Sequence, residues 1–269
     1  MLRSSLTAIL SFLAAMSLFA AQPAFAWGKT GHRVTGAIAN LYLTDQARAA
    51  IIDILGPEGL AEGANWADFM RASPEDFWQN ESSPFHYVTI PKGMTYAEIG
   101  PPKTGEGDAL TAINHFTRVL RDPQSSRDEK AMALRFIVHI IGDLHQPLHA
   151  GNGTDRGGNQ VDVVYFRRET NLHSVWDSAM IDDEQLSYSE MTEWLAQKIT
   201  PAQVAEWMDP NPVVWANESA TIRDTIYPDD PNLSYRYVFD HIGTVKQRLS
   251  QAGVRTAAYL NLILAPSAP

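Results

Sequence analysis

Along most of this chain apolar residues return every third or fourth position, the repeat of a helix with one face in a core. The repeat predicts helices over 34–43 and 44–55, with Thr44 as the cap of the second and Gly56-Pro57 as its stop. It predicts others over 108–120, 127–145, 187–198, 201–208 and 212–226. A last helix over 235–264 carries Val238, Ile242, Val245 and Leu249 on one face. Alternation over 160–166 and 86–90 predicts two short strands. The Gly-rich stretches 91–107 and 150–159 read as loops, where function often resides. No long linker, internal repeat or low-complexity tract divides the pattern. The expected fold is therefore all-α: a single, mainly helical domain with a minor short β element.

The first residues follow a different rule. Arg3 precedes an apolar run over 6–21, and Ala24-Phe-Ala26 has the small-x-small form of a cleavage site. The run is too short and too soon followed by Gln22-Pro23 to span a membrane. Residues 1–26 are expected to be a signal peptide, leaving 27–269 as the domain, periplasmic or secreted. Cleavage there exposes a new α-amino group on Trp27. With an unperturbed pKa of about 8, that amine deprotonates easily and can chelate a metal together with its own carbonyl.

Composition narrows the chemistry. The chain has no cysteine, so any zinc site must use nitrogen and oxygen ligands. Its formal net charge is −10. An acidic chain without Lys/Arg clusters is a poor duplex-DNA binder of the phosphate-neutralising kind. It can still act on phosphates if bound metals supply the positive charge.

Metal-ligand chemistry is concentrated in the run His139-Ile-Ile-Gly-Asp143-Leu-His145-Gln-Pro-Leu-His149. His139 and Asp143 are four apart on a predicted helix, so they share a face about one turn apart, roughly 6 Å of rise. Asp143 has two oxygens and can bridge two ions. Pro147 redirects the chain before His149. His173 and Asp177 repeat the four-residue spacing, and Asp68 and His86 lie in Trp66-Ala-Asp68 and Phe85-His-Tyr87. His32 lies five residues after Trp27. Each alone also has an ordinary reading: a surface hydrogen bond, a helix cap or a core ring. Together, beside the apolar Phe136, Ile140 and Ile141, they describe buried polar groups that must be paired or metallated. His145, two residues from Asp143, faces another side of the helix and reads as outer support or packing. His115 and His241 match no pattern. Phe77, Trp78, Tyr87 and Tyr96 are candidates to stack an unpaired base or to fill core.

These motifs, in this order, resemble the zinc-dependent, single-strand-specific nuclease and 3′-nucleotidase family of fungi, plants and bacteria. The resemblance covers essentially all of 27–269. Besides the motifs above it includes the Trp27-Gly…Gly-His32 start, Ala133-Leu-Arg-Phe136, Gly157-Gly-Asn159, Asn171-Leu-His173…Trp176-Asp177 and Ala252-Gly-Val-Arg255. It implies an all-α fold of the phospholipase C/nuclease type and three Zn2+. One ion takes Asp68, His86, His139 and Asp143. A second takes the amine and carbonyl of Trp27, His32 and the bridging Asp143, and the third takes His149, His173 and Asp177. Asn159 then helps bind the scissile phosphate. The implied reaction is hydrolysis of RNA and single-stranded DNA by a metal-activated hydroxide, leaving 5′-phosphates, with 3′-nucleotides as further substrates and a monomer as the working form. Many fungal members carry an acidic residue where this chain has Thr89, and Lys92 nearby has no assigned role. Two alternatives remain open at this point. A trizinc phospholipase C shares the general fold, but has a wider gap from its first Trp to its first His and ends its last ligand pair in Glu, not Asp. A non-catalytic periplasmic zinc binder would leave Asn159 unexplained.

Overall fold

A computed structural model describes residues 27–265; the expected signal peptide over 1–26 lies outside the described residues. The chain opens with α1 (Lys29–Tyr42), α2 (Asp45–Leu55) and two short helices, α3 (Leu60–Gly63) and α4 (Trp66–Met70). A π-turn at Phe77–Glu81 and a 3₁₀ turn at Ser83–His86 lead into β1 (Val88–Thr89), then α5 (Tyr96–Ile99), α6 (Ala109–Arg121) and the long α7 (Arg127–Leu144). A 3₁₀ turn at Pro147–His149 precedes β2 (Ala150–Gly151), β3 (Asp162–Tyr165) and β4 (Arg168–Asn171). After these come α8 (Leu172–Ser174), a π-turn at Val175–Ala179 and α9 (Met180–Asp182). The remainder is α10 (Tyr188–Ala196), α11 (Pro201–Trp207), α12 (Pro212–Arg223), β5 (Asn232–Leu233) and α13 (Tyr235–Ile263). The mainly helical reading holds.

Local chemistry explains most boundaries. Thr44 accepts from the Ala47 amide at 3.2 Å and so caps α2. At the other end Gly56, at φ 69°, donates back to Ile52 O at 2.8 Å. Ser126 and Glu129 form a reciprocal capping box that starts α7. The start of α1 departs from the expectation. It begins at Lys29 instead of 34, because the inward positions of its first turns include Gly31, His32 and Thr35, which carry no apolar side chain to show the repeat. The Gly28 amide is held from outside the helix, donating to Asp177 O at 2.6 Å.

The strands are shorter than expected over 86–90. β1 pairs in parallel with β2, Val88 opposite Ala150, while His86 belongs to the preceding turn. β3 pairs antiparallel with β4 and parallel with β5. Phe166 and Arg167, at φ 45° and 69°, make the β3–β4 turn.

Two apolar clusters fill the interior. One gathers around α6 and α7, where Phe136 stacks between Phe116, at 4.4 Å, and Trp78, at 5.5 Å between ring centroids. The other joins Trp27, Val34 and Ile38 to Trp176, Leu249 and Val254. The C-terminal part of α7 and the start of α1 meet between them.

Candidate metal centre

At that meeting place the structure gathers His32 from α1, Asp68 from α4, His86 from the 3₁₀ turn, and His139 and Asp143 from α7. His149 follows on the turn after α7, and His173 and Asp177 come from α8 and the π-turn. The imidazole of His32 lies 3.3 Å from Asp143 Oδ1, while His86 Nδ1 and His139 Nε2 lie 3.1 and 3.2 Å from Asp143 Oδ2. Asp143 thus presents one oxygen to His32 and the other to the His86–His139 pair. Asp68 Oδ1 is 3.8 Å from His139 Nε2. The separate set at His149, His173 and Asp177 is equally tight, with His173 Nε2 3.0 Å from Asp177 Oδ2. Three His/Asp groups result, each with its donor atoms within 4.8 Å of one another: His32, Asp68, His139; His86, His139, Asp143; and His149, His173, Asp177.

Hydrogen bonding fixes which nitrogens face inward. A backbone carbonyl can only accept, so a ring nitrogen bonded to it must carry the proton. His139 Nδ1 donates to Ala64 O at 2.7 Å, His149 Nδ1 to His86 O at 2.6 Å, and His173 Nδ1 to Gly157 O at 2.6 Å. In the neutral form of each ring Nε2 is therefore the lone-pair atom, and the donated Nδ1–H is the usual outer support of a metal-binding histidine. His86 Nδ1 and His139 Nε2 come within 2.8 Å of each other, both next to the Asp143 carboxylate.

The donor set fits a cation on a second count. Both nitrogens of His32, Asp68 Oδ1, Asp143 Oδ1, His149 Nε2 and His173 Nε2 are buried and find no hydrogen-bond partner among the described residues. Unpaired buried polar atoms each cost about 1–3 kcal/mol, so a cluster of them calls for a ligand that accepts several lone pairs.

Electrostatics divide the rings. Burial, and then the neighbouring imidazoles, hold His32 and His149 well below the ordinary histidine range; burial and His139 do the same to His86. These rings stay neutral with their lone pairs free for a metal, whereas burial is outweighed by Asp143 at His139, pushed up to about 9, and by Asp177 at His173. Burial pushes the Asp143 and Asp177 carboxyls up, opposed by His139 and His173 respectively. A divalent ion reverses that penalty by favouring the ionised carboxylate.

The surrounding chain explains the precision of the site. Gly142 faces His32, and a Cβ built there would lie 3.0 Å from His32 Nδ1. A methyl group there would press on the imidazole, so glycine suits the close approach of α1 and α7. Gly157 has φ +62°, and a Cβ there would come within 2.3 Å of Leu148 O. Its carbonyl is the one that orients His173. Gln146 donates through Nε2 to Asp177 Oδ1 and accepts the Leu148 amide at 2.6 Å, linking the turn after α7 to the third group. Trp176 Nε1 donates to Tyr237 OH at 2.8 Å, which fastens the Asp177 turn to α13.

The other candidates separate cleanly. Trp27 is fully buried, and its neighbour Gly28 is tied to Asp177 O. Asn159 is half-buried on the 150–159 loop, where its Nδ2 donates to Arg156 O at 2.8 Å. Asp155 shapes that loop by accepting from the Gly158 amide and from Tyr227 OH. His145 is buried away from the cluster; Nδ1 donates to Ile141 O at 2.7 Å, and Arg255 Nη1 lies 3.2 Å from Nε2. Trp78 and Phe77 pack in the aromatic core, and the Tyr96 hydroxyl donates to Asp108 at 2.7 Å. Tyr87 alone among the four stays substantially exposed, at 44 %. Thr89 is exposed and lies against Gly153. His115 is exposed, and His241 packs on Tyr237.

Sequence reasoning missed two features. Arg71 sits one helical turn from Asp68, its Nη1 3.6 Å from Asp68 Oδ1; the three-residue spacing was the available signal. The second is the support of the α7 terminus. Arg248 Nε donates to His145 O at 3.1 Å, and Arg248 and Arg255 both bond Glu218. Nothing in local sequence pairs those residues.

A helical chain with buried, tautomer-locked histidines and shared carboxylates around adjacent donor groups is a metal-centred hydrolase by class. Comparison with known proteins specifies the class further: residues 27–265 match the sequence profile of the S1/P1 nuclease family. The chain belongs to the S1/P1 nuclease family. It is 30 % identical to endonuclease 2 of Arabidopsis thaliana over 97 % of this chain and 98 % of the relative. It is 29 % identical to nuclease S1 of Aspergillus oryzae, over 93 % and 96 %, and 29 % identical to nuclease P1 of Penicillium citrinum, over 88 % and 97 %. The lipid-hydrolase and non-catalytic alternatives gain nothing from these matches.

Proposed function

We propose that this chain is a zinc-dependent endonuclease that hydrolyses phosphodiester bonds of RNA and single-stranded DNA to 5′-phosphate products, with 3′-nucleotides as smaller substrates of the same centre. The observation that carries this reading is the set of inward-facing, unpartnered donors: His32, Asp68, Asp143, His149 and His173. Family membership supplies the reaction class.

Three zinc ions are proposed. Asp68, His86, His139 and Asp143 hold one; His32, Asp143 and the Trp27 amine and carbonyl hold a second; His149, His173 and Asp177 hold the third. Bound zinc supplies Lewis acidity toward the phosphate and lowers the pKa of water enough to make hydroxide near neutral pH. The protein's part is positional. Asp143 divides its two oxygens between neighbouring donor groups, and the Ala64, His86 and Gly157 carbonyls hold the proton of each neutral ring on Nδ1, which turns Nε2 inward. Asn159, on the loop that orients His173, is proposed to donate its amide to the scissile phosphate. The Trp27 ligands require removal of residues 1–26, so the working enzyme is a processed, periplasmic or secreted protein, proposed as a monomer. The family match beginning at Trp27 supports that boundary.

The test is to prepare the secreted protein, sequence its N-terminus and count its metals. Single-stranded RNA, single-stranded DNA and a phosphatidylcholine are then offered. About three zinc ions per chain, an N-terminal Trp27 and chelator-sensitive release of 5′-nucleotides are expected. Lipid cleavage with intact nucleic acid would overturn the substrate assignment, and fewer than two zinc ions with no turnover would overturn the centre.

A further inference from the structure

Beside the metal centre lies a groove of about 1550 Å³ whose lining includes Asp68, Phe69, Lys29, Arg33 and Tyr188. Asp68 belongs to both, so the groove reaches the edge of the centre. Phe69, the next residue on α4, turns its ring outward and is 77 % exposed, while its neighbour Ala67 is fully buried. Tyr188, at the start of α10, is 40 % exposed. The Arg33 guanidinium stands 6.0 Å from the Tyr188 ring centroid, and Lys29 is exposed on the same wall. Some of the groove's acids are engaged: Glu58 by Arg135, and Asp182 by the Thr30 hydroxyl.

What sets these rings apart from the other exposed ones is the groove they line, which reaches Asp68 of the centre. Flat rings and side-chain cations, in a groove that reaches one carboxylate of the centre, suit successive nucleotides of an unpaired strand. Every base offers a π-face to stack, and the cations meet the backbone phosphates without reading sequence. A duplex, whose bases are already stacked, offers no such face. Tyr235 and Phe239 are as exposed as Phe69, at 82 % and 77 %, but do not line the groove.

We propose that this groove is a strand-binding subsite, in which nucleotides flanking the cleaved phosphate stack on Phe69 and Tyr188 while Lys29 and Arg33 meet their phosphates. The proposal rests on the nuclease reading of the centre. It makes long single strands better substrates than dinucleotides.

The test uses the secreted, processed protein and its Phe69→Ala, Arg33→Gln and Phe239→Ala variants. Two quantities are measured: the ratio of kcat/KM for a ten-nucleotide strand to that for a dinucleotide, and the Kd of a fluorescent, cleavage-resistant phosphorothioate ten-nucleotide strand by anisotropy on the metal-loaded protein. Phe69→Ala should lower the ratio and raise the Kd, each by roughly 5- to 100-fold. Arg33→Gln should flatten the slope of log affinity against log salt by roughly 0.7, the value for one single-strand phosphate contact. Phe239→Ala should leave both quantities where they are. An unchanged ratio and Kd in Phe69→Ala, in a protein that still cleaves, overturns the subsite and leaves the nuclease reading standing. A parent protein that cleaves nothing but binds the strand through Phe69 overturns the nuclease reading instead. If Phe69→Ala does not fold, the salt slope of Arg33→Gln decides: a flattened slope supports the subsite, and an unchanged one overturns it.

Discussion

At the residue scale, the properties of the centre come from groups that fix other groups. Gln146 touches Asp177 with its amide nitrogen and holds the following turn with its oxygen. Gln146→Ala should leave the ligand count intact and yet weaken metal at the His149–His173–Asp177 group by roughly 10- to 100-fold, the usual loss when outer support of a ligand goes. Competition with a chelating dye measures it; unchanged affinity would show that Asp177 is held by His173 alone. The four-residue spacing of His139 and Asp143 was legible because it depends on helix geometry alone. The protonation pattern of the rings was not, because the carbonyls of Ala64, His86 and Gly157 come from distant chain.

At the element scale, the decisive contact is between α1 and α7. Ala is the better helix former, worth up to about 1 kcal/mol over Gly inside a helix. Gly142→Ala should therefore keep or raise helical content by circular dichroism. Its methyl group would crowd His32, so bound metal should fall by about one ion and kcat/KM by roughly tenfold or more. Full metal content and full activity in that variant would mean that His32 yields without leaving its ligand position. The periodicity of 127–145 found α7 nearly to the residue, since a strong capping box starts it and apolar positions recur along it. α3 and α4 escaped notice because four or five residues cannot display a period. Asp68 was nevertheless singled out as a candidate, from its motif rather than from its element.

At the scale of the whole molecule, metal and stability are linked. A ligand at 100 times its Kd contributes about 2.7 kcal/mol per site, roughly 5–10 °C in a chain this size. Stripping metal with a chelator should lower Tm by at least that much, followed by calorimetry; an unmoved Tm would argue against buried ions. A second linkage is acid-sensitive. Burial alone would raise the Glu218 carboxyl, but hydrogen bonds from Arg255 and Arg248 outweigh it and hold the group below its ordinary 4.5. A folded-state pKa below the unfolded one contributes stability above about pH 4.5 that is lost as pH falls through the folded value. In chelator-treated samples, Glu218→Gln should thus be less stable than the parent above that pH, and the gap in Tm should narrow below it. A gap independent of pH would assign the loss to packing.

The sequence by itself determined the helical class, the candidate ligand types and their order along the chain. Those follow from interactions within a few residues and from the chemistry of His and Asp. Tertiary structure decided which donors share a group, which aromatic rings fill the core and which, as at Phe69 and Tyr87, face solvent. It also decided that Arg248, Arg255 and Glu218 brace the end of α7. Residues tens to more than a hundred positions apart meet only when two apolar clusters close on each other. No local period encodes that distance, because burial rewards the whole packed arrangement rather than any one segment of it.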